Sequence, residues 1–558
     1  MPPIRTHLIV GAALALAPGF AYAQIISLAK EGDAVAGVGA ITRVDNININ
    51  NQGRWFGEAD TNNANTDADQ VLITNGLSLV LREGQAMLLP VGATLSSLDS
   101  IQLNNNNDSS YNHFLDGTVG LNDDSGIYFN DTLVIQESFI STAAGFSAGT
   151  PYIGFFETKL NDSNLIAVMA SVDDPAIAST VDRAIVLAQV DGAGALLGET
   201  VLAKEGDILA GQTEAVTDFG TGPHSLALNN AGAVMFVADL AGDTLLDGVV
   251  YIDQTIVAQE GSPSPLAGRN WRILSTSTRL DLNDAGAWAL AGTLDGDTAS
   301  DLVVLSSTGF VAQEGASLTA AGLESFTYTS FGSGPVAIDN QGRTLYYAQF
   351  SDPVTATNKG LFRDGELLVR QGVDLVDGVV ISTLRGIQDG YAASSNGAFT
   401  VFEAELTIGV EGLFLLSVEG EIVAVPGCTP SLSSLAITAG TPTLGSTLTF
   451  EVNTTAYGVA WAILGLSLGT LDIGGGCGLA LPGFGGELLL DIGGLSIGSL
   501  AFPFPLFAGS PVTLDLALPA NGTLMGVQFH AQALVLDGTL SAPVVYDFTN
   551  GLSITLGF

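Results

Sequence analysis

One short segment recurs through three quarters of this sequence at near-constant spacing, and it limits the fold more than any other feature. Its clearest form is Val201-Leu-Ala-Lys-Glu-Gly-Asp207. Copies stand at residues 28–33, 81–85, 134–138, 202–207, 257–261, 311–315 and 368–372, with a decayed eighth at 423–427. At the Glu position, which is Gln371 and Pro426 in the last two, the steps are 52, 54, 68, 55, 54, 57 and 55 residues. A period of that size means one supersecondary unit used many times.

A second landmark recurs in phase with the first. It is a four-residue turn that opens on Asn, Asp or Ser and closes on Gly or Asn, at 50–53, 104–107, 161–164, 229–232, 283–286, 339–342 and 394–397. The opening side chain caps the turn, and the closing residue supplies left-handed backbone for a hairpin. A third is a two-residue hairpin before most Glu-Gly copies, as at Asn75-Gly76, Asp253-Gln254 and Asp364-Gly365. The strands before it are short and β-branched. Each unit therefore reads strand, turn, strand, acidic loop, strand, hairpin, strand.

Four antiparallel strands per unit make a propeller blade, and such blades close radially without a bare sheet edge. The expectation is an all-β chain with a β-propeller over 24–427, seven blades within a range of six to eight, and a C-terminal β-sandwich over 428–558. The spare first copy either latches the ring by pairing with the last blade or belongs to an eighth, composite one.

Residues 1–23 combine basic Arg5, an apolar run and the small-residue exit Ala21-Tyr-Ala23. That order is a signal peptide, too short in its apolar core to span a bilayer. The mature chain is expected to start near Gln24 and to be secreted or held at the cell surface, as a monomer with no transmembrane helix. Lys and Arg number 16 against 57 Asp and Glu, a net charge of −41. Such a surface disfavours nucleic acid and anionic membranes as partners.

The Ala-Lys/Arg-Glu-Gly-Asp strand followed by Asn-x-x-Gly resembles an uncharacterised family of exported bacterial repeat proteins, over roughly residues 25–427. The resemblance implies a propeller and brings no activity with it. Departures fall at Ser138, Gln371 and Pro426, and the third unit carries extra residues around 173–198, where irregular outer strands are expected. After Cys428, the turn Pro442-Thr-Leu-Gly445 and the strand Gln528-Phe-His-Ala-Gln532 resemble a C-terminal module of unrelated exported bacterial proteins. Attachment, sorting or spacing is what that resemblance implies. Leu552, Ile554, Leu556 and Phe558 alternate to the end of the sequence. They fit a closing sandwich strand better than a membrane barrel, because Pro503, Pro505 and Pro511 interrupt the segment.

Candidate chemistry is sparse. His113, His224 and His530 stand in unrelated contexts, none with a second His at metal-ligand spacing. Gly494-Leu-Ser-Ile-Gly498, followed by Asp515 and His530, has a hydrolase order without the strand-to-helix elbow that order needs. Cys428 and Cys477 suit one disulfide in an exported chain. Acids are abundant, and one follows each turn by 9 to 13 residues: Asp60, Asp116, Asp173, Asp239, Asp295, Asp352 and Glu403. In a meander these loops share one face.

The richest loop offers Asp60, Asn63, Asn65, Asp67 and Asp69 to a hard cation such as Ca²⁺, although it lacks the Gly and closing Glu of an EF-hand. Two readings follow. One is an exported non-enzymatic binding or cell-surface structural protein, which holds Ca²⁺, a cationic partner, a polysaccharide or a matrix component. The other is a secreted polysaccharide hydrolase or lyase using paired carboxylates. The scarcity of basic residues to stand beside those acids favours the first.

Overall fold

The computed structural model describes residues 25–417 except 121, 178–181 and 276, and residues 421–556 except 426–427, 429–430, 432, 441, 444–445, 454–459, 468–478, 482–483, 491–499, 504–510, 519–527 and 538–545. The expected signal peptide (1–23), Cys477, the segment Gly494 to Gly498 and Phe558 lie outside the described residues. The chain divides into two compact units, one over Ile25–Val418 and one over Glu419–Pro519 with Val527–Phe558.

The described residues of the first unit form seven antiparallel sheets, one for each repeat. In the fourth repeat the inner pieces Val216–Phe219 and Leu226–Leu228 both pair with Val234–Leu240, which pairs in turn with Gly248–Ile252 and then with Thr255–Gln259. The second strand, Val-Met-Phe-Val-Ala-Asp-Leu, is apolar nearly throughout because both its faces are covered. Phe236 packs into a cluster with Met169 and Ile185 of the third repeat, while Met235 and Val237 pack with Trp271 and Leu280 of the fifth. Strand alternation thus serves two neighbours at once, and burying each large side chain contributes about 1.5–3 kcal/mol.

In the five turns that open on Asn, that residue does two jobs. Asn283 Oδ1 accepts from the backbone N–H of Ala285 (3.1 Å) and Ala287 (2.9 Å), capping its own turn. Its Nδ2 donates to the carbonyl of Asp339 in the next repeat at 2.8 Å. The same amide bond joins Asn50 to Asn104 (3.0 Å), Asn104 to Asn161 (3.1 Å), Asn161 to Asn229 (3.1 Å) and Asn229 to Asn283 (3.0 Å). Asp339 has no amide to give. There Arg343 holds the Asp339 carboxylate (2.7 Å) and reaches Gly397 O (3.4 Å), and Asn340 N donates to Ser395 O (2.7 Å). Asn396 N then donates to Asn51 Oδ1 at 2.9 Å, so the seven turns are bonded in a closed ring. All seven closing residues have positive φ, from 59° at Asn164 to 86° at Gly232, which is why Gly or Asn stands there.

The first copy of the motif completes the last sheet. Ile25–Lys30 pairs antiparallel with Glu411–Ser417, from Ile25 opposite Leu416 to Lys30 opposite Gly412. The decayed copy does not belong to the ring: Glu421–Val425 pairs with Tyr546–Thr555 in the second unit. The division therefore falls at 418 rather than 427, because the seventh sheet already has its outer strand. The extra residues of the third repeat lengthen the outer hairpin to two nine-residue strands, Asp182–Val190 and Leu196–Lys204, whose pairing shifts register twice, between Ile185 and Val186 and between Gln189 and Val190.

In the second unit one sheet runs in the order Glu421–Val425, Tyr546–Thr555, Gln528–Asp537, Ala460–Ser467, Leu500–Pro503, and Ser434–Ala439, Thr447–Asn453 and Val512–Ala517 form another. Asn550 ties them, accepting from Leu435 N (2.9 Å) and donating to Leu435 O (3.0 Å). Gln532 is a buried clamp that accepts from Leu489 N (2.8 Å) and donates to the carbonyls of Glu487 (2.6 Å) and Thr549 (2.8 Å). Leu552, Ile554 and Leu556 are buried, so this alternation faces protein. Cys428 is disulfide-bonded.

Candidate functional site

The inner strands carry an interruption at one common level. In the first three repeats it is a register shift, at Asp45/Ile47, Asp99/Gln102 and Phe155/Glu157. In the last four the inner strand is split in two, as between Val216–Phe219 and Leu226–Leu228. Bulges re-aim side chains. Asn46, Ser100 and Asp389, all at this level, have positive φ of 41°, 49° and 57°, strained for residues other than Gly.

What they point at is a cavity of about 280 Å³ lined from all seven repeats, with Asn48, Gln102, Lys159, His224, Asp281 and Asp389 among its walls. That is the small end of the range for small-molecule sites, roughly 300–1,000 Å³.

Glu157 is 2% exposed and its carboxylate lies 2.9 Å from Lys159 Nζ, which also donates to Pro223 O at 3.0 Å. Burial pushes Glu157 up to about 8; the Lys159 ammonium pulls it down, and Asp389 and Asp99 add to the rise. Asp389 is raised to about 6 by burial, with Lys159 opposing and the charges of Asp45 and Asp99 assisting. Burial also raises Asp99, against the N–H that Ser100 gives it. Asp45 is held by Arg43 at 2.7 Å. Behind it Glu58 accepts from Asn46 Nδ2 at 2.6 Å and is pushed up to about 7 by burial. His224 Nε2 stands 3.6 Å from Asp389 Oδ1, and burial beside Lys159 and Arg279 lowers the imidazole to about 3, keeping it neutral. Asp281 is a fastener, accepting from Leu282 N (2.9 Å) and Ile338 N (2.7 Å).

Two carboxyls, Glu157 and Asp389, thus feel the Lys159 ammonium, and the charges of Asp99 and Asp45 press on Asp389 from nearby. Among the described residues no three His, Cys, Asp or Glu are close enough to grip a metal ion. Carboxyls without a third metal-ligating neighbour can still take hydrogen bonds from the N–H donors of an organic cation. The arrangement also pairs a carboxyl protonated near neutrality with one that is ionised there, the split that acid–base chemistry uses.

The residues singled out from the loops are placed elsewhere. Asp295 accepts from Asn270 N (2.9 Å) beside Arg269, and Asp352 is held by Thr357 Oγ1 (2.6 Å) and Arg370 (2.8 Å). Asp116 and Asp173 are exposed, and Asp239 is raised to about 6 by burial and neighbouring acids. Asp60, Asp116 and Asp239 fall inside the second strands Trp55–Thr61, Ser109–Asp116 and Val234–Leu240 rather than in loops, and so does Glu403 inside Phe399–Leu406, where it is buried beside Arg385 (3.3 Å). Asn63 Oδ1 accepts from Asn65 N (3.0 Å) and Asn65 Oδ1 from Asp67 N (3.3 Å), while Asp60 stands near Asp69 and Arg43.

His113 is a core residue between the Tyr111 and Tyr128 rings, at 4.9 and 4.6 Å. Asp515 and His530 sit on different sheets. The channel residues Asp45, Asp99, His224 and Asp389 each precede the turn by five positions, Glu157 by four and Lys159 by two. That phase was the available signal.

The model of a family of unknown function, DUF7453, matches residues 21–249. No curated protein matches the sequence. Among solved structures, a puromycin hydrolase mutant complexed with PGG is similar at 10% identity and TM-score 0.30, over 68% of this chain; the chain spans about half, 50%, of that protein's length. The α-L-arabinanase of Penicillium chrysogenum, complexed with arabinobiose, is similar at 10% identity and TM-score 0.26, over 71% of this chain and 98% of that one. Likeness at these scores carries nothing further, and the family that matches has no assigned function.

Proposed function

We propose that this is an exported binding protein: a seven-bladed β-propeller whose channel holds a small organic cation, such as a primary amine or guanidinium compound, followed by a β-sandwich module that serves attachment. The observation that carries the reading is a cavity lined from all seven repeats in which the Glu157 and Asp389 carboxyls face the Lys159 ammonium while Asp99 and Asp45 add negative charge beside Asp389. Calorimetric titration of the exported chain with amines, guanidinium compounds and neutral sugars tests it. Amines should bind, neutral sugars should not, and Asp99→Asn with Asp389→Asn should weaken amine binding at least tenfold. Equal binding by the variant would sink the proposal.

A second reading has its own support in the contrast between Glu157 near 8 and Asp389 near 6, a proton donor facing a carboxylate. It makes the chain a polysaccharide hydrolase. Reducing-end release that disappears in Glu157→Gln would establish this reading over the first.

A further inference from the structure

A second set of carboxyls recurs in the first five repeats, at the far end of each from the ring of turns, and takes no part in the channel. The backbone N–H of each motif residue donates to a carbonyl at the start of the third strand: Glu83 to Gln70, Glu137 to Ser125, Glu205 to Arg183, Glu260 to Gly248, Glu314 to Leu302 and Gln371 to Lys359, all at 2.9 to 3.0 Å. That bond sets the preceding residue alongside, which is Asp69, Asp124, Asp182, Asp247, Asp301 and Asn358 in turn. The two carboxyls are in hydrogen-bonding contact at 69/83, 124/137, 247/260 and 301/314. Glu137, Glu205 and Glu260 are 8%, 7% and 6% exposed.

The sixth repeat meets the same geometry with amides. Gln371 Oε1 accepts from Leu384 N of the next repeat at 3.1 Å, as Glu260 Oε1 accepts from Leu274 N at 2.8 Å. Gln371 Nε2 donates to the carbonyls of Thr355 (3.5 Å) and Ala356 (3.4 Å), so the sixth repeat keeps the place with a neutral side chain. Where two carboxyls stand in contact instead, two negative charges would repel, and one proton between them removes that repulsion.

We propose that each Asp/Glu clasp holds a single shared proton, which makes the junctions between sheets a pH-responsive device, tight in weakly acidic medium and loosened above neutrality. The charged groups facing the clasps are mostly further acids: Asp239 and Asp218 at 247/260, Asp297 at 301/314, Asp123 at 124/137, Asp60 at 69/83 and Asp174 at 182/205. The basic neighbours have other partners. Arg183 holds Asp218, Lys204 lies near Asp174 (3.8 Å) and Asp207 (3.7 Å), Arg269 faces Asp295 (3.4 Å), Arg43 holds Asp45 (2.7 Å), and Arg82 donates to Ala68 O (3.1 Å).

Burial, joined by Asp124, raises Glu137 to about 7, and burial raises Glu83, Glu260 and Glu314 in the same direction. A carboxyl raised on folding binds its proton first in the folded chain. Its contribution is present at low pH and is lost as pH climbs from the ordinary value of 4.5 through the folded one, near 7 for Glu137.

Melting of the exported chain at constant ionic strength with chelator should show Tm falling by roughly 5 °C between about pH 5.5 and about pH 8.5. Asp301→Asn with Glu314→Gln writes the sixth repeat's pair into the fifth; it should raise Tm at the alkaline end, leave the acid end unchanged and flatten the slope. Asp247→Asn with Glu260→Gln is an independent copy should the first variant fail to fold. An unflattened slope in the variants, or a Tm that rises with pH in the parent, overturns the proposal. So does a parent slope abolished by Ca²⁺, which would put a metal ion in the clasp.

Discussion

The two ends of the repeating unit fasten neighbours with opposite chemistry. At the turn end, Asn229 caps its own hairpin and gives its amide to Asn283 O at 3.0 Å, a neutral arrangement that no pH change disturbs. At the other end, Glu260 reaches Gly248 N (3.2 Å) and Leu274 N (2.8 Å) with a carboxyl that also touches Asp247. Both ends tolerate an exchange of chemistry that keeps the place. Asp339 supplies a carboxylate where five turns have an Asn amide and recruits Arg343 for the missing donor, the seventh turn opens on Ser394, and Gln371 supplies an amide where the first five repeats have an acid. Position in the unit is what the fold requires, and more than one residue type satisfies it.

The harshest way to break both ends together is to remove the strand that closes the circle. Without Ile25–Lys30, the edge of Glu411–Ser417 loses its ladder and buried Ala29 loses its packing. The expected loss exceeds about 5 kcal/mol, the lower end of a domain's whole stability, so cooperative melting should vanish. A chain truncated there that melts as sharply as the parent would show that the seven sheets hold without the latch.

A single cut at the turn end should cost less and should ignore pH. Asn229→Ala strands the N–H of Ala233 and the carbonyl of Asn283, at a site 4% exposed, for about 2–3 kcal/mol in denaturant melts at either end of the pH range. Asn229→Asp with Ala233→Arg copies the Asp339–Arg343 pair and should recover part of that. A penalty that changed with pH would erase the contrast between the two ends.

Much of this was legible in the sequence because the signals repeat as residues. The turn Asn and Gly and the motif Glu recur nearly unchanged, since each meets one backbone demand in every repeat, and the sheets and their ring followed. The channel repeats only as a position. Five places before the turn stand Asp45, Asp99, Phe156, His224, Thr278, Gly334 and Asp389, seven residues of five types whose shared level appears only when the inner strands are paired. The loop acids drew attention by number, yet number does not distinguish an acid aimed at a cavity from one spent on a neighbouring N–H, as at Asp295 and Asp352. The copy at 423–427 misled for the converse reason: it kept the pattern's spacing after its strand had been recruited to another sheet.

The smallest effect concerns calcium at the clasp end. The loop from Asp60 to Asp69 offers a hard cation fewer oxygens than its composition suggests. Asn63 and Asn65 already accept backbone N–H bonds at 3.0 and 3.3 Å, and Asp69 is engaged with Glu83. Asp60 and Asp67 remain, against the six to eight oxygens that Ca²⁺ prefers. Weak, shared association across the acidic loops is then the expected mode, worth less than about 1 kcal/mol. At the acid end of the range, where the clasps keep their protons, millimolar Ca²⁺ should raise Tm slightly above an equal ionic strength of Na⁺, and Asp67→Asn should remove only a fraction of that rise. Complete loss in Asp67→Asn would make the loop a specific site. No rise at all would leave these carboxylates as solvated surface, and the proposed binding of a cation would then rest on the channel alone.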